Sequence, residues 1–133
     1  MADAVTTQTI QDGERRAVMK FTNISDGTGE SAVTKVDVSA LAKNSRGETC
    51  TEVAIHQIWW QCVGMGVEIL FDATVDTPAI ILSENSNGHH DYNSFTAIPN
   101  NAGAGKTGDI KFTTVNAATG DAYTVIMDVI KSY

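Results

Sequence analysis

The sequence predicts an all-β fold: a single β-sandwich or jelly-roll-like domain of about eight antiparallel strands. Short segments rich in Val, Ile, Thr and aromatic residues alternate apolar and polar positions with a period of two. Clusters of Gly, Asn, Asp and Ser separate these segments about every ten residues, which is the spacing of turns in all-β domains. No window has helical spacing long enough to indicate a helix, so one two-layer β domain is the expected architecture.

The N-terminal residues 1–16 predict an extended arm or an edge strand ahead of a single β domain over 17–133. They are polar with few apolar positions, and Thr6 and Thr7 favour extended structure. Such a segment gains little burial energy alone, so we expect an arm that orders on assembly, by pairing with a neighbouring subunit or lying on the surface of the assembly that it joins. An ordinary first strand on the chain's own sheet is the open alternative.

The remaining elements follow in order along residues 17–133. The predicted strands are Ala17–Ile24, Val33–Val38, Glu52–Val63, Val67–Phe71, Thr77–Leu82, Asp109–Val115 and Ala122–Lys131. We expect one helical turn near Leu41–Arg46, a polar loop over Ser83–Asn93 and a glycine-rich loop over Ile98–Gly108. The segment Asn116–Asp121 predicts a hairpin-like connection between the last two strands.

Several of the predicted strands are apolar on both faces, whereas the outer face of a sandwich is normally polar. The adjacent Trp59 and Trp60 must point to opposite sides of a strand. Because large exposed apolar patches are rare on monomers, the surplus indicates a subunit interface; cover by loops or the arm, or a register shift, is the alternative. The predicted assembly contacts are Val5, Thr7, Ile10, Trp59, Leu70, Ile126 and Ile130.

The charge of the chain argues against direct contact with nucleic acid. Nine Lys and Arg oppose sixteen Asp and Glu, and Arg15-Arg16 is the only adjacent basic pair. Nucleic-acid binders usually carry a basic patch or stripe. The apolar runs are far shorter than the roughly 20 residues of a membrane helix, and the N-terminus has no apolar secretory segment. We therefore expect a protein made in a cytoplasm, without a membrane partner.

Two motifs resemble functional sites without meeting their requirements. The segment Asn100–Thr107 is close to a phosphate-binding loop, but Asn replaces the first glycine and a predicted strand, not a helix, follows. We interpret this segment as a flexible loop. His56, His89 and His90 have the ligand chemistry of a zinc site but not its spacing. No catalytic triad order occurs, so we predict no catalytic residue, metal or cofactor.

The polar segment that contains His89, His90 and Tyr92 is a candidate surface-contact loop. Aromatic faces stack on sugars, and loops at the ends of sandwiches often carry binding sites. Together with Trp59 or Trp60, this segment supports an alternative hypothesis, a glycan-binding or adhesion module.

Cys50 and Cys62 are too few for a disulfide scaffold or a four-cysteine zinc site. A bridge between them requires that neighbouring strands bring them together. Reduced thiols are the default in a cytoplasmic product.

From about Trp59 to Lys131 the chain resembles small virion structural proteins of tailed bacteriophages. The residues that carry the resemblance are Trp59-Trp60, Gly64–Val67, Phe71–Thr74, Gly88–Tyr92, Pro99-Asn100, Gly108–Thr114 and Gly120–Ile126. The resemblance covers about half of the chain, and residues before Trp59 carry no motif of that group.

The resemblance implies a non-enzymatic component of a phage particle. A capsid decoration or cement protein is the expected role, and a tail or head–tail joining component is the alternative within that group. The implied partners are phage capsid or other virion proteins, and we expect a homo-oligomer, since most soluble oligomers are symmetric assemblies of one chain. No catalytic residues are carried over from the group.

Overall fold

The computed structural model describes residues 3–92 and 97–133, and it confirms the predicted all-β class. Two antiparallel sheets form a sandwich in which the described residues supply nine strands. The strands are β1 (Ala4–Asp12), β2 (Arg16–Ile24), β3 (Val33–Val36), β4 (Glu52–Val63), β5 (Gly66–Phe71), β6 (Thr77–Leu82), β7 (Asn87–Asp91), β8 (Ile110–Val115) and β9 (Ala122–Ser132). The five-stranded sheet has the order β1-β2-β9-β4-β7, and the four-stranded sheet has the order β3-β8-β5-β6.

Three aromatic side chains link the two sheets at the centre of the core. Phe21 of β2 and Phe112 of β8 meet edge to face at 5.2 Å between ring centroids, and Tyr123 of β9 meets Phe112 at 5.8 Å. All three are nearly fully buried. Edge-to-face contacts of this kind add stability beyond the area that they bury. The period-two apolar rows of β2 and β9 thus face the core, as alternation predicts.

A β-bulge in β4 decides which side chains reach the outer face of the five-stranded sheet. The register with β9 shifts between Ile55 and Gln57, so His56 is an additional residue on the bulged strand. Ile55 before the bulge and Ile58 after it are both fully buried. As a result Trp60 faces the core and Trp59 faces outward, on opposite sides of the strand as expected.

The polar loop predicted over Ser83–Asn93 is wrong for residues 87–91. Strand β7 lies within it and pairs with β4 from Gln57↔Asp91 to Gln61↔Asn87. All five residues of β7 are exposed, because it is an edge strand with neither face covered. Its sequence therefore has no apolar alternation to signal a strand. Asn93 lies outside the described residues.

The helical turn lies at Val38–Ala40 rather than at Leu41–Arg46, where it was predicted. Asp37 caps it by accepting a hydrogen bond from the Ser39 backbone N–H at 3.0 Å, which is a usual start for a short helical segment. Within the described residues no helix is long and apolar enough to cross a membrane.

The predicted hairpin between the last two strands is wrong. β8 belongs to the four-stranded sheet and β9 to the five-stranded sheet, so residues 116–121 cross from one layer to the other. Two backbone hydrogen bonds hold the crossing against the end of β2: Ser25 N–H to Asp121 O at 2.7 Å and Gly120 N–H to Ser25 O at 2.9 Å. The turn residues of this connection suit a hairpin equally well, so they do not distinguish the two topologies.

Residues 4–12 form the edge strand β1, one of the two forms that the sequence left open. β1 pairs with β2 from Ala4↔Ile24 to Asp12↔Ala17, with a bulge between Thr9 and Gln11. Its residues from Ala4 to Gln11 are exposed on both faces of the strand. The first two residues lie outside the described part of the chain.

Candidate functional site

A stacked aromatic pair stands on the outer face of the five-stranded sheet. Trp59 of β4 and His89 of β7 are opposite each other in the strand register. Their rings are nearly parallel, with 4.6 Å between centroids and 10° between planes. Trp59 is 36% exposed, an unusual amount for a tryptophan side chain. The pair presents a rigid aromatic surface to solvent.

An open groove of about 480 Å³ runs beside this pair. Its lining includes the side chains of Gln61, Asn87 and Thr124, which supply amide and hydroxyl groups next to Trp59 and Ile126. Gly88 forms part of the wall, and a Cβ at this position would lie 3.1 Å from the ring of Trp60 beneath it. The groove therefore combines an aromatic surface with hydrogen-bonding groups, on a regular sheet rather than on a loop.

A row of polar side chains fixes the position of His89 across the sheet. Asp128 of β9, only 2% exposed, accepts hydrogen bonds from Arg16 Nε at 3.1 Å and Gln57 Nε2 at 3.3 Å, and lies 3.4 Å from His56 Nδ1. Gln57 Oε1 lies 3.0 Å from His89 Nε2. The hydrogen bond to Asp128 raises the pKa of Arg16. The row joins four strands and holds His89 against Trp59.

The predicted contact loop of His89, His90 and Tyr92 is instead divided between the two faces of a strand. His90 stacks on Trp60 at 5.2 Å and on Tyr92 at 5.9 Å, on the side opposite His89. Trp60 donates a hydrogen bond from Nε1 to Ser86 Oγ at 3.1 Å. Tyr92 is half-buried against the core, and burial raises its pKa. His89 alone of the three shares a face with Trp59.

Three of the predicted assembly contacts, Val5, Thr7 and Ile10, lie on β1, an exposed edge strand of the five-stranded sheet. Val5 is 42% exposed and Ile10 is 53% exposed, and Thr7 between them is exposed as well. Val5 pairs with the buried Asn23 of β2, so it lies on the core side of the sheet, where the opposite layer does not cover it. These three positions form a surface together with the free edge of β1.

Two further predicted assembly contacts, Ile126 and Ile130, lie on the outer face of the five-stranded sheet. A third, Leu70, is buried. Ile126 is half-buried beside Trp59, and Ile130 is half-buried four residues further along β9. Leu70 is only 9% exposed on the four-stranded sheet, between Lys111 and Pro78 in the register. Leu70 is therefore not available as an exposed contact in this conformation.

The segment that resembles a phosphate-binding loop contains neither helix nor strand over residues 99–109, as the loop interpretation predicts. Lys106 Nζ lies 3.1 Å from Glu52 Oε1, so its charge is paired within the chain. Asn100 uses its side-chain oxygen to accept a hydrogen bond from the Ala102 N–H at 2.9 Å. These contacts hold Asn100 and Lys106 within the chain.

Both cysteines are free and buried. Burial raises the pKa of Cys62 to about 11 and also raises the pKa of Cys50. A thiol that stays protonated is a poor nucleophile, so both behave as small apolar side chains.

Sequence reasoning identified Trp59 but missed the polar groups beside it. Gln61, Asn87 and Thr124 come from three separate strands and converge only because β9 lies beside β4 and β4 beside β7. A signal for Gln61 was present, since it lies two residues after Trp59 and shares its face. Thr124 could be placed only once the strand order was known.

Among residues 3–92 and 97–133, no group of three or more His, Cys, Asp or Glu side chains is arranged to hold a metal ion. The groove beside Trp59 and the free edge of β1 are two surfaces with distinctive chemistry among the described residues. No family model, curated protein or solved structure matches this chain.

Proposed function

We propose that this chain is a non-enzymatic structural subunit of a bacteriophage virion, a capsid decoration or cement protein. The observation that carries the proposal is the uncovered apolar surface of the five-stranded sheet. Ile24 is 60% exposed and Trp59 is 36% exposed on the outer face of this sheet, and Val5 and Ile10 are exposed on its edge strand. The virion assignment itself comes from the sequence resemblance.

The sheet geometry supports a role in which one face of the sheet meets another protein. A sheet face with Trp59, Ile126 and Ile130 offers a broad contact area of fixed shape, because the backbone hydrogen bonds of five strands hold it. The net charge of −7 keeps the free subunit soluble before it meets its partner. It also suits an outer particle surface better than a wall that faces DNA.

Mass spectrometry of purified particles tests the assignment directly. We expect the chain at a fixed copy number in intact particles, and fractionation into heads and tails separates a decoration protein from a tail or head–tail joining component. Absence of the chain from particles, at a detection limit of a few copies, would overturn the proposal.

A pair of matched variants tests the proposed surface. Ile126→Asp places a charge on the outer face of the five-stranded sheet, and Ile81→Asp places one on the four-stranded sheet, where Ile81 is 64% exposed. In a binding assay with particles that lack the chain, we expect the first variant to lose binding and the second to bind normally. Equal binding by both variants would contradict the choice of surface.

The groove beside Trp59 favours a second candidate function, recognition of glycans. A sugar ring stacks on an aromatic face while its hydroxyl groups bond to amide and hydroxyl side chains, and the groove provides both. In the glycan-binding function, the hydroxyl groups of the sugar form hydrogen bonds with the side chains of Gln61, Asn87 and Thr124. The binding module and the structural subunit differ in class, since only the first requires a saccharide ligand.

A glycan array with three proteins separates the two candidates. We expect a glycan-binding protein to retain binding in Trp59→Phe, which keeps an aromatic face, and to lose it in Trp59→Leu, which keeps only apolar bulk. Absence of any bound glycan for the unaltered chain removes the second candidate and leaves the structural role.

A further inference from the structure

We infer that β1 is the strand through which two copies of this chain pair, edge to edge and antiparallel. The pairing joins two five-stranded sheets into one continuous sheet of ten strands about a two-fold axis. The inference rests on the proposed structural role, because it names the first partner of the subunit as a second copy of itself.

β1 has backbone groups ready for such a pairing. Among the described residues its only strand neighbour is β2, with which it pairs from Ala4 to Asp12. The N–H and C=O groups that point away from β2 therefore form an open row along a nine-residue strand. A row of this kind is a template for another strand.

The other three sheet edges carry features that discourage pairing. β6 contains Pro78 and has a register shift of its own at Ala79, between the pairs Ile69↔Ile80 and Leu70↔Pro78. β3 has only four residues and a register shift of its own, and β7 has five residues that include two histidines and an aspartate. Proline, bulges, charged side chains and short length are the usual means by which an edge is blocked.

β1 lacks most of these protections. It contains no proline, and from Ala4 to Gln11 it has no charged side chain. Its one bulge falls after Thr9, so Ala4 to Thr9 pair with β2 without interruption. A long, neutral and regular edge of this kind is the most favourable of the four for strand addition.

The distribution of charge favours the β1–β2 hairpin as the place where two copies can meet. The hairpin from Ala4 to Ile24 has three basic residues against two acidic ones, for a net charge of +1. The rest of the chain then has six basic and fourteen acidic residues, a net charge of −8. Two copies of this acidic protein repel each other over most approaches, and the hairpin is the region where they meet without that repulsion.

The sequence of β1 is also compatible with itself in an antiparallel pair. With the axis at Thr7, Val5 lies opposite Thr9 of the second copy on the core side, and Thr6 lies opposite Gln8 on the outer side. Cross-strand pairs of β-branched residues stabilise antiparallel sheets. The second copy would also cover part of the exposed surface of Val5.

A charge-swap experiment tests the pairing at its axis. Thr7→Lys and Thr7→Glu each place like charges opposite one another in a symmetric pair, so we expect each variant to weaken dimerisation by about fivefold in sedimentation velocity experiments. An equimolar mixture of the two variants should recover the dimer, since Lys then faces Glu. Thr7→Val, which keeps β-branching and adds no charge, should dimerise like the unaltered chain.

Thr7 is exposed, so all three variants should keep their far-UV circular dichroism and thermal midpoint. A strictly monomeric unaltered chain at about millimolar concentration would overturn the inference, as would charge variants that dimerise normally or a mixture that stays monomeric. Failure of this pairing is distinguishable from failure of the proposed function. A monomeric chain found in particles refutes only the pairing, and a β1-paired dimer absent from particles refutes only the virion role.

Discussion

The side-chain nitrogen of Lys131, in β9, forms an ion pair with the carboxylate of Asp12 at the end of β1. The Lys131 side chain is fully buried, and it also donates hydrogen bonds to Gly13 O at 2.5 Å and Ala42 O at 3.1 Å. One ammonium group thus holds the β1–β2 turn and the segment after the helical turn against the five-stranded sheet. A buried lysine with three oxygen partners is satisfied, so the charge is compatible with the interior.

Replacing Lys131 by Met should destabilise the protein by about 2–3 kcal/mol, because three oxygen acceptors lose their shared donor. The cost is below that of a fully buried pair, since the Asp12 side chain is 24% exposed and water can hydrate it. Urea unfolding measures the change. Lys43→Met, at an exposed position, is the control and should change stability by less than about 0.5 kcal/mol. Equal losses for both variants would show that the buried contacts contribute nothing.

Gly108→Ala should be more destabilising than Gly47→Ala, although both glycines have positive φ angles, +90° and +78°. A Cβ at Gly108 would lie 1.9 Å from the backbone oxygen of Thr51, whereas a Cβ at Gly47 meets nothing within 4 Å. We expect about 1 kcal/mol from backbone strain at Gly47 and at least about 2 kcal/mol more at Gly108. Thermal unfolding compares the two, and similar midpoints would contradict the steric argument.

Cys62 should make the protein less stable at alkaline pH. Burial raises its pKa from 9.0 to about 11 in the folded state. A raised pKa means that its contribution is complete below pH 9.0 and is lost as the pH rises through about 11. Urea midpoints of the unaltered chain should therefore fall more steeply over that range than those of Cys62→Ala. Burial also raises the pKa of Tyr123, and that contribution is present in both proteins.

Asp72 should give the opposite dependence at acid pH. Its hydrogen bonds from Lys111 Nζ and Thr107 Oγ1 lower its pKa below 3.8 in the folded state. A lowered pKa gives stability that is present above pH 3.8 and is lost as the pH falls through the folded value. Asp72→Asn should lose less stability on acidification than the unaltered chain does.

Asp109→Asn serves as the comparison for Asp72, because burial and then the nearby Asp37 raise the pKa of Asp109. Its carboxylate accepts a hydrogen bond from the Val38 N–H at 3.0 Å, which an asparagine oxygen can also accept. We expect Asp109→Asn to lose as much stability on acidification as the unaltered chain does. The same pH profile for both variants would refute the assignment to Asp72.

The fold class and most strands were predictable because burial leaves a period-two pattern wherever one face of a strand is covered. β2 follows that rule over its whole length and β9 follows it except at the buried Asp128, and the limits of β6 were predicted to the residue. β7 was missed for the same physical reason, since a strand covered on neither face has no pattern to read. Alternation of apolar and polar residues is a consequence of burial, so it identifies a strand only where one face of that strand is buried.

The pairing of the strands and the position of the groove could not be predicted from the sequence, because both depend on contacts between residues distant along the chain. The segment between Val115 and Ala122 has turn residues that fit a hairpin and a layer crossing alike. The bulge at His56 reverses the faces of β4, yet nothing local to His56 distinguishes it from its neighbours. The sequence showed that Trp59 and Trp60 lie on opposite faces of a strand. The position of Trp59 beside His89 depends on the register between β4 and β7.

The placement of β9 has a consequence for how the chain acquires its structure during synthesis. β9 is the last strand in sequence, yet it lies in the middle of its sheet, between β2 and β4. Until residues 122–132 have been made, β2 and β4 have no common neighbour, and the hairpin of β1 and β2 cannot join the rest of its layer. We therefore expect folding to be late and nearly all at once, with slow kinetics typical of contacts distant in sequence. A growing chain that stops before Ala122 would expose unpaired strand edges, the condition under which β proteins aggregate.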